Sequence, residues 1–235
     1  MKYLLFSLAL IIGGNVYCQT CNDGYYPFNA GASWQLSSYT ASNKLTDKST
    51  STINTVTKST NGFKANVTGT GEDAKGKETF HSNYDIECAN NVFKVDMKNM
   101  FNPDQMNAYK ESKDMSIEFD GDNLETPKNL KVGDSLKTSS MTMTVKNNGD
   151  VMVTMVMVIY DRYVQGKEDL TVPAGTYSCY KISYKTRVTS SYAGIPMKNT
   201  FETTQWLAKG IGMVKMESYN KGKLSSYTLL TKFSN

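Results

Sequence analysis

The sequence predicts an all-β protein: a single antiparallel meander curled into a half-open or incomplete barrel, with one short helix. Three observations carry that expectation. Apolar and polar residues alternate along much of the chain, the period of two that marks strands with one buried face. Turns bearing glycine or asparagine punctuate the alternation at short intervals. Between the turns threonine, valine and tyrosine recur, side chains that suit a pleated surface.

In chain order, residues 1–18 read as a signal peptide. Lys2 supplies a positive charge, and an apolar run of roughly ten residues follows, the length of a secretory h-region. A membrane span would need about 20 apolar residues. Val16 and Cys18, three and one residues before Gln19, place the cut after Cys18. Tyr17 before Cys18 and Thr20 before Cys21 suit a lipidation site poorly, so soluble export is favoured over a lipid anchor. Residues 19–235 are then expected to form a single antiparallel β domain without a transmembrane span, since no Pro/Ser-rich linker divides them. The whole chain carries 26 basic and 22 acidic residues, a net charge of +4. That excess is too small and too evenly spread to argue for nucleic acid.

Strands are expected over 33–39, 49–59, 63–71, 78–88, 91–97 and 115–119. Between the last two, 103–110 reads as the one helix, with Asn102 able to cap its first turn and Pro103 at the first helical position. Met141, Met143 and Val145 then alternate with Thr142 and Thr144, and Asn147 to Asp150 make a turn. Residues 151–160 are apolar on nearly both faces, which predicts the most central strand, covered on both sides. In the next strand Tyr180, Ile182, Tyr184 and Val188 share one face, and Cys179, Lys181, Lys185 and Arg187 the other. Strands over 201–207, 213–219 and 224–233 complete the chain. Lys75-Gly76-Lys77 and Lys221-Gly222-Lys223 look like two hairpin tips, and strands joined by short hairpins make a meander that must curl to bury one face.

Three cysteines follow the predicted cut. Cys21 sits at a loose end that gains most from a tether, and Cys88 ends an alternating segment, so Cys21–Cys88 is the preferred disulfide. Cys179 is left as a free thiol, read as a small buried hydrophobe. His81 is the only histidine and has no partner in sequence that would make it a general base. Asp120-Gly121-Asp122-Asn123 lacks the spacing of a calcium loop and reads as a polar turn. No phosphate loop, nucleophile elbow or zinc-protease pair occurs. Thus no catalytic residue, metal ligand or cofactor is assigned. Methionine is the oddity, with Met141, Met143, Met152, Met155 and Met157 on neighbouring strands. Core filling is favoured over an adaptable pocket, and over copper(I), because Met152 falls on the opposite face from Met155 and Met157.

The most distinctive pattern runs from Glu168-Asp169-Leu170-Thr171-Val172-Pro173-Ala174-Gly175-Thr176-Tyr177 to Gln205-Trp206-Leu207-Ala208-Lys209-Gly210-Ile211-Gly212. With Cys21-Asn22-Asp23-Gly24-Tyr25-Tyr26-Pro27-Phe28, Asp73 to Lys77 and Asp96-Met97, it resembles the Bacteroidetes branch of the TapB-like family of exported bacterial proteins, the DUF3108-like group. The resemblance implies a curved antiparallel fold outside the inner membrane, and it implies no activity or catalytic residues. Read physically, Pro173 and Gly175 make a sharp corner and Trp206 is a core anchor. The expected function is a non-enzymatic binding or carrier module, exported to the periplasm or associated with the outer membrane or extracellular space. Its curved sheet would shelter an apolar small molecule or an envelope protein, and the candidate lining residues are Met141, Met143, Met155, Met157, Tyr180, Ile182, Tyr184 and Trp206. The alternative is a structural or surface-interaction protein of the envelope, working through exposed tyrosines and sheet edges.

Overall fold

The alternating segments become the strands of one antiparallel sheet. The computed structural model describes Cys21 and residues 24–59, 61–101, 106, 113–192 and 195–235. The predicted signal peptide, and the predicted helix apart from Met106, lie outside the described residues. The first half of the meander is β1 (Ser33–Thr40), β2 (Leu45–Ser59), β3 (Gly62–Asp73), β4 (Glu78–Ala89) and β5 (Val92–Asp96). A 3-10 turn, Met97–Met100, follows, capped by the Asp96 carboxylate, which accepts from the Lys98 amide. Three short strands come next: β6 (Met115–Gly121), β7 (Asn123–Pro127) and β8 (Ser135–Leu136). The second half is β9 (Ser139–Asn147), β10 (Asp150–Val172), β11 (Gly175–Tyr192), β12 (Ile195–Ala208), β13 (Gly212–Asn220) and β14 (Lys223–Ser234).

Tight hairpins set the register. Asn148 and Gly149, and likewise Lys221 and Gly222, all have positive φ, the pair of left-handed residues whose twist matches that of the strands they join. The spatial order is β6-β9-β10-β11-β12-β13-β14-β1-β2-β3-β4-β5-β7, with β8 added against β10. The two halves meet where β14 pairs with β1, so the sheet curls through almost a full turn. It stops at one unsealed seam, between β7 at one end and β6 and β9 at the other. Only Asp122 separates β6 from β7 in sequence, so the chain itself crosses that seam. There Asp122 N–H donates to the Ser140 carbonyl at 2.7 Å, and the Ser139 hydroxyl donates to the Asn123 carbonyl at 3.0 Å.

Inward-facing side chains fill the barrel in three clusters that share members. One gathers Trp34, Ile53, Val67, Ile86, Phe93 and Leu230. A second gathers Tyr25, Leu136, Val164, Ile182 and Leu207, and a third the methionines around Val145 and Ile159. Tyr26 packs against the first two and Tyr184 against the last two, making the interior continuous. The segment before β1 closes one end. Tyr26 stacks on Phe93 with ring centres 4.2 Å apart, and the predicted disulfide joins Cys21 to Cys88 of β4.

Residues 151–160 differ from the expectation. They pair on both edges, with β9 and β11, but only one face is packed, and Val151 is 58% exposed. A barrel of one sheet has a single interior, so the valines on the convex side meet no second layer. Sequence alternation also missed β7 and β8, which are short and take their partners from the seam.

Candidate functional site

A cavity of about 700 Å³ lies inside the curl of β1 to β5. Cross-strand rows explain why space remains there. Leu36 faces Ser49, which faces Gly71 and then Phe80. The next row runs Trp34, Ser51, Gly69, Ser82. One row further, Ile53 and Val67 are fully buried beside Tyr84, and the space closes. Small side chains in two adjacent rows therefore leave the hollow. The glycines also let rings lie flat on the wall: a Cβ on Gly71 would collide with the Phe80 ring, and one on Gly69 would meet Ser82 Oγ at 3.0 Å and the Tyr84 ring at 3.3 Å.

The apolar wall comes from Trp34, Leu36, Phe93, Val95, Met100 and Phe101. Tyr26, from the segment that closes the barrel end, and Met213 of β13 complete it. Polar groups converge on one side, where Ser49, Ser51 and Ser82 sit near Tyr84, whose hydroxyl is 3.2 Å from Ser51 Oγ. No Asp, Glu, Lys or Arg lies among the described lining residues. Enclosure shapes the phenols: burial pushes the Tyr26 hydroxyl far up, helped by Tyr84 and Tyr184. Burial likewise raises Tyr84 against the opposing hydrogen bond from Ser51. Tyr184 is pushed up to about 12 by burial, although the Arg162 charge and a hydrogen bond with Thr203 pull the other way.

The residues proposed from sequence fall into separate places. Met141 faces Met157 and Met143 faces Met155, and all four pack with Met97, Met106 and Met115. They share the barrel interior with the cavity but do not line it. Tyr180 and Ile182 belong with Leu207 and Val164, and Tyr184 links that group to the methionines. Trp206 is not with them. It faces Lys181 and Lys215, on the other side of β12 from Leu207, and the lysine nitrogens lie 5.3 and 4.8 Å from the ring centre. Its indole N–H donates to Glu168 Oε1 at 2.6 Å. Sequence reasoning missed Leu36, Phe80, Tyr84 and Phe93. The available signal was the run of small residues at Ser49, Ser51, Gly69 and Gly71, in phase with Ile53 and Val67.

Of the other reactive groups, Cys179 stands apart from the cavity and His81 borders it. Cys179 is a buried free thiol, donating to the Tyr177 carbonyl at 3.3 Å and pushed up to about 11 by burial and by nearby Asp169 and Glu168. His81 borders the cavity mouth, on the opposite side of β4 from Phe80 and Ser82. Among the described residues, no three His, Cys, Asp or Glu side chains gather as a metal site, and no helix is long and apolar enough to cross a membrane.

The family model described as DUF3108-like matches residues 29–230. The chain is similar to the crystal structure of a candidate exported protein with a YmcC-like fold from Bacteroides fragilis. The two are 22% identical, with 91% of this chain and 100% of that one covered, at a TM-score of 0.69. It is similar as well to a candidate lipoprotein from Parabacteroides distasonis, at 20% identity, covering 90% and 99%, with a TM-score of 0.69. No curated protein is significantly similar. At these identities the likeness to the two structures concerns the fold.

Proposed function

We propose, from the premise that this chain belongs to the DUF3108-like family, that it is an exported, envelope-associated binding or carrier module whose curved sheet shelters an apolar ligand. The family brings a fold and no reaction, so the reading rests on the cavity. Its volume of about 700 Å³ falls in the range of about 300–1,000 Å³ usual for small-molecule sites. Its wall pairs aromatic and methionine surface with a few convergent hydroxyls, the composition such sites share. Export is supported by the apolar N-terminal run, by a disulfide that needs an oxidising compartment, and by the descriptions of the two similar structures. A single domain over 19–235 is supported by the continuous ladder that joins the two halves at β14 and β1. The non-enzymatic reading is supported by the described lining, whose residues include no positioned acid–base pair.

The test is native mass spectrometry of the protein purified from its own envelope, before and after organic extraction, with uptake of the uncharged probe N-phenyl-1-naphthylamine by the extracted protein. An extractable adduct and saturable uptake, weakened at least tenfold by Ser51→Phe, are expected. Neither adduct nor uptake would remove the reading. The second reading, a surface-interaction protein, draws on Ile195, Met197 and Phe201, which are 69, 57 and 38% exposed where β12 runs beyond its pairing with β13. Repeated capture of one envelope protein by cross-linking at Met197, with no ligand uptake, would favour it.

A further inference from the structure

We propose that the cavity selects an electrically neutral hydrocarbon bearing a hydroxyl or ester, an acylglycerol or long-chain alcohol, over the ionised fatty acid of the same chain length. This deepens the binding reading above and rests on it. Charged residues make up 20% of the chain, yet none lines the cavity among the described residues. Strand alternation is the cause. On β2 Ser49 and Ser51 face inward and Lys48 outward. On β4 Ser82, Tyr84 and Ile86 face inward, and Asp85 and Glu87 outward. On β5 Phe93 and Val95 face inward, and Lys94 outward. The outward charges satisfy each other on the convex side, as in the Lys64–Asp85 pair at 2.8 Å.

A carboxylate taken into such a space would lose its hydration and meet no lysine or arginine among the described lining residues, only the His81 imidazole at its border, which costs far more than burying a hydroxyl that can be hydrogen-bonded. An ammonium would find no carboxylate among the described lining residues. What the cavity does offer is a group of hydroxyls on neighbouring rows: Ser49, Ser51, Ser82 and the Tyr84 phenol. Each hydroxyl can donate one hydrogen bond and accept two, so the set complements a ligand hydroxyl or ester carbonyl equally well. The apolar remainder of the wall, with Leu36, Phe93, Val95, Met100 and Phe101, suits the chain. Methionine adds surface that repacks around different chain shapes.

The experiment displaces N-phenyl-1-naphthylamine from the exported, disulfide-bonded chain with four competitors of one chain length: 1-monooleoylglycerol, oleyl alcohol, oleate and oleylamine, each below its aggregation concentration. The two neutral competitors are expected to displace the probe at concentrations at least tenfold lower than either ion. Oleate or oleylamine competing as well as the alcohol would overturn the selectivity while leaving the binding reading standing. Failure of all four, with no probe uptake, would overturn both. Ser82→Lys places a cation among the hydroxyls and is expected to improve oleate at least tenfold relative to oleyl alcohol. Ser49→Lys serves the same purpose if the first variant does not fold, with the melting temperature as the check. An unchanged ratio in a folded lysine variant would show that the head group lies elsewhere, and would sink the proposal.

Discussion

The Tyr26, Tyr84 and Tyr184 hydroxyls are enclosed by protein, and burial raises all three. The consequence is a stability that depends on alkaline pH. An unfolded tyrosine releases its proton near a pKa of about 10, whereas Tyr184 holds on until about 12. Above the unfolded value the unfolded state binds fewer protons than the folded one, so stability falls as pH rises. The contribution is whole below about pH 10 and is lost as pH rises through the Tyr184 value of about 12. Cys179, at about 11, begins the same loss earlier, because a free thiol titrates nearer 9. Tyrosinate absorbance at 295 nm should therefore show a late, cooperative phase that coincides with loss of the β-sheet circular-dichroism signal. Tyr184→Phe should flatten the dependence of unfolding free energy on pH. Full tyrosinate formation near pH 10 in a protein that keeps its fold would contradict the enclosure of these groups. Single side chains also mark how far sequence reading reaches. Trp206 was legible as an anchor because tryptophan is rarely left in water, but its partners Glu168, Lys181 and Lys215 come from other strands.

The seam is the element on which barrel closure turns, and Arg162 holds it. A register shift in β10 between Tyr160 and Tyr163, with Asp161 at φ 51°, turns the Arg162 side chain inward. Its buried guanidinium donates to the Glu125 and Lys137 carbonyls at 2.8 and 3.0 Å, and to Thr126 Oγ1 at 3.4 Å. One side chain thus binds β7, on the far edge of the sheet, to the segment that carries β8. Arg162→Met keeps much of the apolar stem but leaves two carbonyls without donors, and should cost about 2–4 kcal/mol in denaturant unfolding. Arg162→Lys should recover only part, because a point charge cannot reproduce the planar fork. Hydrogen exchange should accelerate in β7 and β8 and stay slow in β11 and β12. Equal acceleration throughout would assign Arg162 a general packing role instead. At this scale the sequence was legible where alternation runs unbroken, as in β3, β4 and β11. It was not legible where bulges reset the phase, so β10 extends beyond its predicted end. Nor was it legible in β7, whose Asn-Leu-Glu-Thr-Pro becomes a strand only because β5 offers an edge. The cavity needed more still: its small residues lie on β2, β3 and β4, and only cross-strand register shows that they form adjacent rows.

The whole molecule depends on the segment before β1 as much as on the sheet. Cys21 and Cys88 are 67 residues apart in sequence, and the loop they close contains β1, β2, β3 and most of β4. Cross-linking a loop of that length removes conformational freedom from the unfolded chain, worth about 4 kcal/mol if chain entropy is the whole effect. In the folded protein the bridge also anchors the segment that carries Tyr25, Tyr26 and Phe28 into the barrel end. Tyr25 accepts from the Leu130 amide at 3.4 Å, and the Gly24 carbonyl accepts from the Gly210 amide at 2.7 Å, so the segment holds to the β7–β8 connection and the β12–β13 turn as well as to β4. These two roles separate experimentally. Acting on the unfolded chain alone, the bridge would set stability and leave the cavity unchanged. Pinning the segment, it would also set the position of Tyr26 against Phe93, and with it the cavity wall. Since Gly24 and Tyr25 keep their own bonds, the Cys21→Ser/Cys88→Ser variant should lose about 3–5 kcal/mol of stability while probe affinity falls less than threefold. Chymotrypsin should then cleave after Tyr25 no faster than global unfolding allows. A tenfold loss of affinity, with rapid cleavage there in a protein that remains folded, would make the disulfide a determinant of the cavity itself.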